Sequence, residues 1–433
     1  MLKIESGSCG FEIEKLRAPF GFKGKHIDVL WQSAVALRGE KNACGCAPGV
    51  QSVVWSDAAV FEKLGQAGGN AAMYLTTCEA VSSVEGMRCE NPVDLMSSVF
   101  DDVYARACRI TGTNDLRPTF ALNAMVPLDL AAWQLYAREN GMTGFDEMIP
   151  SDYREALGER QTKLAAIPLV SYNVGIDEVK KLVRQGAFLL KIKIGCDPDG
   201  DGDPDKMLDW DMRRMTEIHQ ALCHESTPYT ENGKLAYYLD ANGRYDGKTR
   251  LRRLIEHLDR IGALEQTVLL EEPFPEGSEI DVHDLPVRIA GDESAHNASD
   301  ALHLIELGYG AMALKPIAKT LSVSLEVARC AYEHHVPCFC ADLTVNPLLV
   351  EWNRCVASRL RVLPGLKIGV LETNGAQNYA RWEQLKAYHP RPDAPWLEAD
   401  NGIFTLNDDY FKTGGGVLDQ SRHYALLAQD TAF

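Results

Sequence analysis

Apolar and polar positions fall into two regimes along the chain, and the change comes near residue 166. Before it, residues 27–35 and 51–55 are rich in β-branched and aromatic side chains and are bounded by Gly or Pro, which predicts strands. Residues 93–108, entered through Asn91-Pro92, and residues 121–138 carry apolar side chains at helical spacing. The pattern is α+β, and residues 1–165 are expected to form a domain of their own.

From residue 166 short apolar runs alternate with amphipathic stretches. The runs are 166–170, 188–194, 235–239, 267–270, 287–290, 311–314, 336–340 and 366–371. Eight such strands, separated by helical segments such as 177–185, 206–224 and 322–334, predict a (β/α)8-type barrel over residues 166–377. A doubly wound open sheet is the alternative, but no G-x-G-x-x-G turn follows the first run. Residues 378–433 hold no further barrel unit and are expected to return to the N-terminal domain.

The chemistry lies immediately after each run. Lys191 and Lys193 close the second, Asp240 the third, Glu271 and Glu272 the fourth, and Asp292 and Glu293 the fifth. Lys315 closes the sixth, Asp342 the seventh and Glu372 the eighth. Charges at the C-terminal ends of consecutive barrel strands converge on one mouth. Helix capping explains a lone Asp after a strand. It does not easily explain acids on three successive strands with lysines on both sides. Carboxylates held close together cannot all ionise unaided, so the set calls for a cation. Three carboxylates with open positions suit Mg²⁺, a hard ion that prefers oxygen, and Asp240, Glu271 and Asp292 are its predicted ligands.

Lysines two positions apart on a strand share a face, so Lys191 and Lys193 both address the mouth. Two ammonium groups near a divalent cation and partly dehydrated lower each other's pKa from about 10.4, which makes one of them a usable base. Lys315, four strands round, faces them across the metal. The inference is a metal-bound carboxylate substrate with a lysine on each face of its α-carbon.

Composition narrows the partners. The chain has 44 Lys+Arg against 61 Asp+Glu, a net charge of −17, which argues against nucleic acid and anionic membranes as partners. Hydrophobic residues at 45% suffice for a packed core. No window is long and apolar enough for a spanning helix, and the N-terminus lacks the apolar core of a signal peptide, so a soluble, cytoplasmic protein is expected. The 12 cysteines are scattered, and the pairs Cys44/Cys46 and Cys338/Cys340 fit no zinc spacing; reduced thiols are expected. Residues 197–203 begin like a calcium loop, yet the twelfth position is Leu208 where a bidentate Glu is needed, so a solvated loop capping the next helix is expected.

The motifs K-I-K (191–193), L-D-A-N (239–242), L-E-E-P-F-P (270–275), G-D-E-S (291–294) and A-L-K-P (313–316) together resemble the enolase superfamily, most of all its muconate-lactonising-enzyme and dipeptide-epimerase subgroup within the mandelate racemase/muconate lactonizing enzyme family. The match spans the barrel in the family's order. The resemblance implies a (β/α)7β modified TIM barrel with an α+β cap built from residues 1–165 and 378–433. It implies one Mg²⁺ on Asp240, Glu271 and Asp292, with Glu271 preferred to Glu272 as the first acid of its motif. Asn242 and Glu293 would stand behind the ligands. Lys193 would be one acid/base and Lys315 the other, while Lys191 helps neutralise the substrate carboxylate. The shared step is removal of the proton α to a carboxylate, giving an enediolate. A homo-oligomer is a further family-level expectation.

Departures concern the substrate. The sixth strand usually reads K-x-x-K-x-G-G, whereas here Lys315 and Lys319 are one residue further apart and no glycine pair follows, so either could be the second acid/base; Lys315, at the end of the run, is preferred. The seventh strand has no His, unlike the mandelate-racemase subgroup, and His296 falls too early to replace it. Glu372 and Asn374 at the eighth strand and Asp342 at the seventh are candidate substrate contacts. The cap offers loops 18–23, with Phe20, Phe22 and Lys23, and 49–57, with Trp55.

The leading reading is an Mg²⁺-dependent racemase or epimerase of a small carboxylate. The second is a syn-dehydratase or cycloisomerase of an acid-sugar-type substrate, and the third a non-catalytic barrel, which retention of Lys193 and Lys315 disfavours.

Overall fold

The computed structural model of the chain describes residues 1–22 and 25–429, the side chains of residues 20–22, 25 and 41 excepted. The cap opens with an antiparallel meander of β1 (Ser6–Phe22), β2 (Lys25–Arg38) and β3 (Cys44–Gln51). Three helices cover it: α1 (Ala58–Val84), α2 (Pro92–Thr111) and α3 (Pro118–Glu139). Helix α2 starts as its sequence directs, with Asn91 accepting from the amides of Val93 and Asp94 and with Pro92 in the first turn. Helix α3 is buried on nearly every face and lies against β3; a Cβ at Gly45 would stand 1.9 Å from the Ala131 carbonyl, so only glycine permits this approach.

The expected strand over 51–55 is not formed: β3 stops at Gln51 and Val53–Ser56 is a helical turn. The cause is Asn123 of α3. Its Oδ1 accepts from Ser52 N at 3.0 Å and its Nδ2 donates to Val50 O at 3.0 Å, replacing a sheet partner with a buried side chain.

The barrel has eight parallel strands. The first is broken by Pro168, which lacks an N–H, into β4 (Lys163–Ile167) and β5 (Leu169–Val170). The others are β6 (Leu189–Lys193), β7 (Ala236–Asp240), β8 (Thr267–Glu271), β9 (Ile289–Gly291), β10 (Ala311–Leu314), β11 (Cys338–Cys340) and β12 (Gly369–Glu372). Because β12 pairs with β4 and β5 pairs with β6, the two halves of the first strand close the barrel. Crossover helices are α4 (Ile176–Arg184), α5 (Pro204–Leu222), α6 (Lys248–Ile261), α7 (Ala298–Glu306), α8 (Leu321–Glu333) and α9 (Pro347–Ala357). The connection from β8 to β9 contains no helix, so the modified barrel carries one helix-free crossover. Residues 197–203 form a loop whose last residue, Asp203, caps α5, while Lys206 spans Asp199 and Asp201 at 2.7 and 2.6 Å.

The tail touches both parts. Strand β13 (Ile403–Thr405) runs antiparallel beside β4, and His423 of α10 (Arg422–Leu427) meets Glu12 of β1 at 2.8 Å. Cap and barrel are joined by buried polar contacts. Gln32 of β2 donates to Tyr379 Oη at 2.9 Å and accepts from Asn346 at 2.8 Å, while Tyr379 Oη donates to Thr344 O at 2.8 Å. Asp129 of α3 accepts from the amides of Leu321 and Ser322, at 2.7 and 3.2 Å, at the start of α8. Among the described residues no helix is long and apolar enough to cross a membrane.

Candidate active site

Each charged residue that follows an apolar run is carried to the C-terminal end of its strand, and the strands gather them at the mouth beneath the cap. Two adjoining backbone positions are left-handed although neither is glycine: Asn242 (φ 46°) and Glu272 (φ 40°). Such conformations cost roughly 1–3 kcal/mol each and persist where the surroundings hold them. Here they are held by side chains. Asn242 donates to Glu293 Oε1 at 2.9 Å and Glu272 accepts from the amides of Asp292 and Ser294 at 2.8 and 3.2 Å. Glu272 thus secures the backbone after β9, leaving Glu271 as the acid of that pair facing the other carboxylates.

Asp240, Glu271 and Asp292 are all fully buried. The oxygens that approach one another within 4.8 Å belong to Glu271, Asp292 and Glu293. Asp240 stands outside that set, because its Oδ2 is held by Lys191 at 2.9 Å and Lys193 at 2.6 Å. Glu293 therefore shares the cluster with Glu271 and Asp292 as well as bonding Asn242.

Lys191 lies 2.9 Å from Asp240, 3.2 Å from Glu271 and 2.9 Å from Glu372. Lys315 is paired with Asp292. Burial opposes the charge on both ammonium groups, yet the carboxylates prevail: Asp240, Glu271 and Glu372 hold Lys191, and Asp292 and Glu293 hold Lys315, above the ordinary lysine value. The expected mutual lowering of the lysine pKa values is therefore outweighed at Lys191 by the acids around it. On the acidic side burial is again the first influence. It raises Glu271 to about 8, whereas at Asp292 the nearby Lys315, Lys319 and Lys191 overcome it and lower the carboxyl to about 2.

Lys315 and Lys319 are set apart by their surroundings. Lys315 borders the cavity at the mouth, with its Nζ 4.8 Å from the centre of the Trp55 ring. Lys319 points into the protein and donates to the carbonyls of Asp292 and Ala295 at 2.7 and 3.0 Å.

The cavity lies between the barrel mouth and the cap. Lys191, Lys193, Asp240, Asn242 and Lys315 supply its polar floor, and Asp342, Glu372 and Asn374 one wall. Asp342 accepts from Leu343 N and Asn374 N, both at 2.7 Å, and burial followed by the charge of Glu372 raises it to about 7. Glu372 is engaged by Lys191 and by Asp342 N at 3.0 Å. The opposite side is apolar and comes from the cap: Leu16, Leu30, Val54 and Trp55. Phe20 and Phe22 lie in β1, but their side chains, like all of Lys23, are outside the described residues. His296 pairs with Asp300 and Glu276 at 3.1 and 3.2 Å and does not border the cavity.

The sequence reading missed Leu16 and Leu30. Leu16 sits among charged residues in β1, where alternation gives it no distinguishing mark; only the fold of the cap brings it over the mouth.

Residues 176–371 match the family described as Enolase C-terminal domain-like. Among solved structures, N-succinyl Arg/Lys racemase from Bacillus cereus ATCC 14579 is similar with a TM-score of 0.66 at 13% identity, over 100% of this chain and 99% of that one. A mandelate racemase/muconate lactonizing protein from Herpetosiphon aurantiacus gives 0.64 at 15%, over 94% and 96%. Dipeptide epimerase from Enterococcus faecalis V583, complexed with Mg and the dipeptide L-Leu-L-Tyr, gives 0.61 at 16%, over 94% and 98%. At these identities the likeness is one of fold, and no curated protein matches in sequence. The barrel residues 176–371 thus match that family, and the chain as a whole has the fold these structures share, a barrel beneath an α+β cap.

Proposed function

We propose that this protein is an Mg²⁺-dependent racemase or epimerase that moves the proton α to the carboxylate of a small molecule. The observation that carries the reading is the placing of Lys193 and Lys315, on the second and sixth of eight strands, at one cavity. Groups on opposite sides of a barrel can take a proton from one face of a carbon and return it to the other.

The donor set suits the ion. Glu271, Asp292 and Glu293 offer oxygen alone, and Asp292 Oδ1 accepts no hydrogen bond although it is buried. Glu271 and Asp292 would hold the metal together with Asp240, once Lys191 and Lys193 release its Oδ2, with Glu293 and Asn242 beside them. Mg²⁺ would neutralise the substrate carboxylate and the charge that grows on it as the α-proton leaves. Lys191 adds a positive charge at the same end of the cavity. A lysine whose carboxylate partner is taken up by a cation loses the charge that keeps its pKa high, and burial then lowers it toward the range of a base. The apolar cap residues Leu16, Leu30, Val54 and Trp55 exclude water from the reacting carbon and contact the substrate's side group.

A panel of α-substituted carboxylic acids incubated with protein and Mg²⁺ in D₂O tests the reading. Deuterium at Cα with inversion is the expected result. Loss of water or ring formation without inversion assigns the same proton abstraction to a dehydratase or cycloisomerase, and no exchange in any acid rules out both.

A further inference from the structure

Away from the barrel mouth, two cysteines of the cap meet. Cys9 of β1 and Cys78 of α1 are 69 positions apart in sequence, and their sulfur atoms stand 3.4 Å from one another. The register of strand and helix produces the encounter. Gly7, Cys9 and Phe11 alternate onto the face of β1 that meets α1, where Val81, Cys78 and Tyr74 lie one helical turn or less apart. A Cβ at Gly7 would come within 2.5 Å of Val81 Cγ1, so the absent side chain there lets the helix approach closely. On the other side the ring of Phe11 lies 4.7 Å from that of Tyr74, and Tyr74 Oη donates to Cys9 O at 3.2 Å. The two thiols are thus held between a tight contact and an aromatic one.

We propose that Cys9 and Cys78 are a redox-sensitive pair that peroxide oxidises to a reversible disulfide. The sulfurs are roughly 1.4 Å beyond the bonded distance, a gap that small side-chain rotations close. Cys9 is the attacking group: the hydrogen bond from the Cys78 thiol lowers it to about 7, and the Cys78 thiol is itself pushed up. The Cys9 thiolate takes one oxygen of the peroxide and becomes a sulfenic acid, releasing hydroxide. Cys78 then attacks the Cys9 sulfur, its proton and the departing hydroxide forming water. Two thiols lose two electrons and one peroxide becomes two waters. The bond would tie β1, which carries Leu16 at the cavity, to α1, which begins three residues after Trp55.

Treating the full chain with a small excess of hydrogen peroxide, then alkylating and mapping peptides, tests this. The expected result is a mass lower by about 2 Da, a Cys9–Cys78 cross-linked peptide, and recovery of both thiols with dithiothreitol. In Cys78→Ser the same treatment should leave a sulfenic acid on Cys9 that dimedone traps. Full alkylation of both cysteines after peroxide, a cross-link to another cysteine, or no dimedone adduct in Cys78→Ser would overturn the proposal.

Discussion

Lys193 and Lys315 border the cavity while Lys319 is buried on two carbonyls, so their replacements should differ in kind. Lys193→Ala and Lys315→Ala should each lower racemisation by about 10²–10⁴-fold, the range of a single acid or base. Lys319→Ala should instead destabilise the fold by roughly 1–3 kcal/mol, because it leaves buried acceptors unpaired, and denaturant titration reads that directly. At this scale much of the site is legible in the sequence. A charge that follows an apolar run at single-repeat spacing can only arrive at the barrel mouth. What the sequence hides is which oxygens meet. Asp240 and Glu293 both lie at strand ends, and the lysines that draw Asp240 aside act through rotamers that no spacing records.

Among elements, α8 shows how the cap governs the barrel. Its first amides are satisfied by Asp129, a residue of α3, and not by a side chain of its own turn alone. Burial raises the Asp129 carboxyl from 3.8 to about 7 against the hydrogen bonds of Ser322 and Leu321. Since the folded state holds this proton more tightly than the unfolded chain, the contribution is full below about pH 4 and is lost as pH rises through about 7. Asp129→Asn cannot lose that proton. Between pH 5 and pH 8 wild type should therefore lose about 3 kcal/mol relative to the variant in urea denaturation, and a constant difference would refute the assignment. The barrel strands were readable as apolar runs because they are buried on both faces. Helix α1 and strand β1 were not. The first contains Gly65, Gly68 and Gly69 and has no clear apolar stripe, and the second opens with the small residues Ser6 to Gly10 and carries Pro19.

For the whole molecule, the net charge of −17 does not describe the mouth, where Lys191, Lys193 and Lys315 match Asp240, Asp342 and Glu372 along the cavity and a bound Mg²⁺ would add two positive charges. An anionic substrate is thus compatible with an acidic protein. If the acids bind Mg²⁺ only in the folded state, the ion stabilises the whole chain, by about 2.7 kcal/mol at a concentration 100-fold above its dissociation constant. Wild type should melt higher with Mg²⁺ in scanning calorimetry, and Asp292→Asn should lose most of that rise. Proton NMR of one enantiomer of an acid that binds the protein, in D₂O with Mg²⁺, reads the fate of the α-proton. Loss of the α-proton signal with appearance of the opposite, deuterated enantiomer is the expected result; a bound acid that keeps its α-proton and its configuration would contradict it.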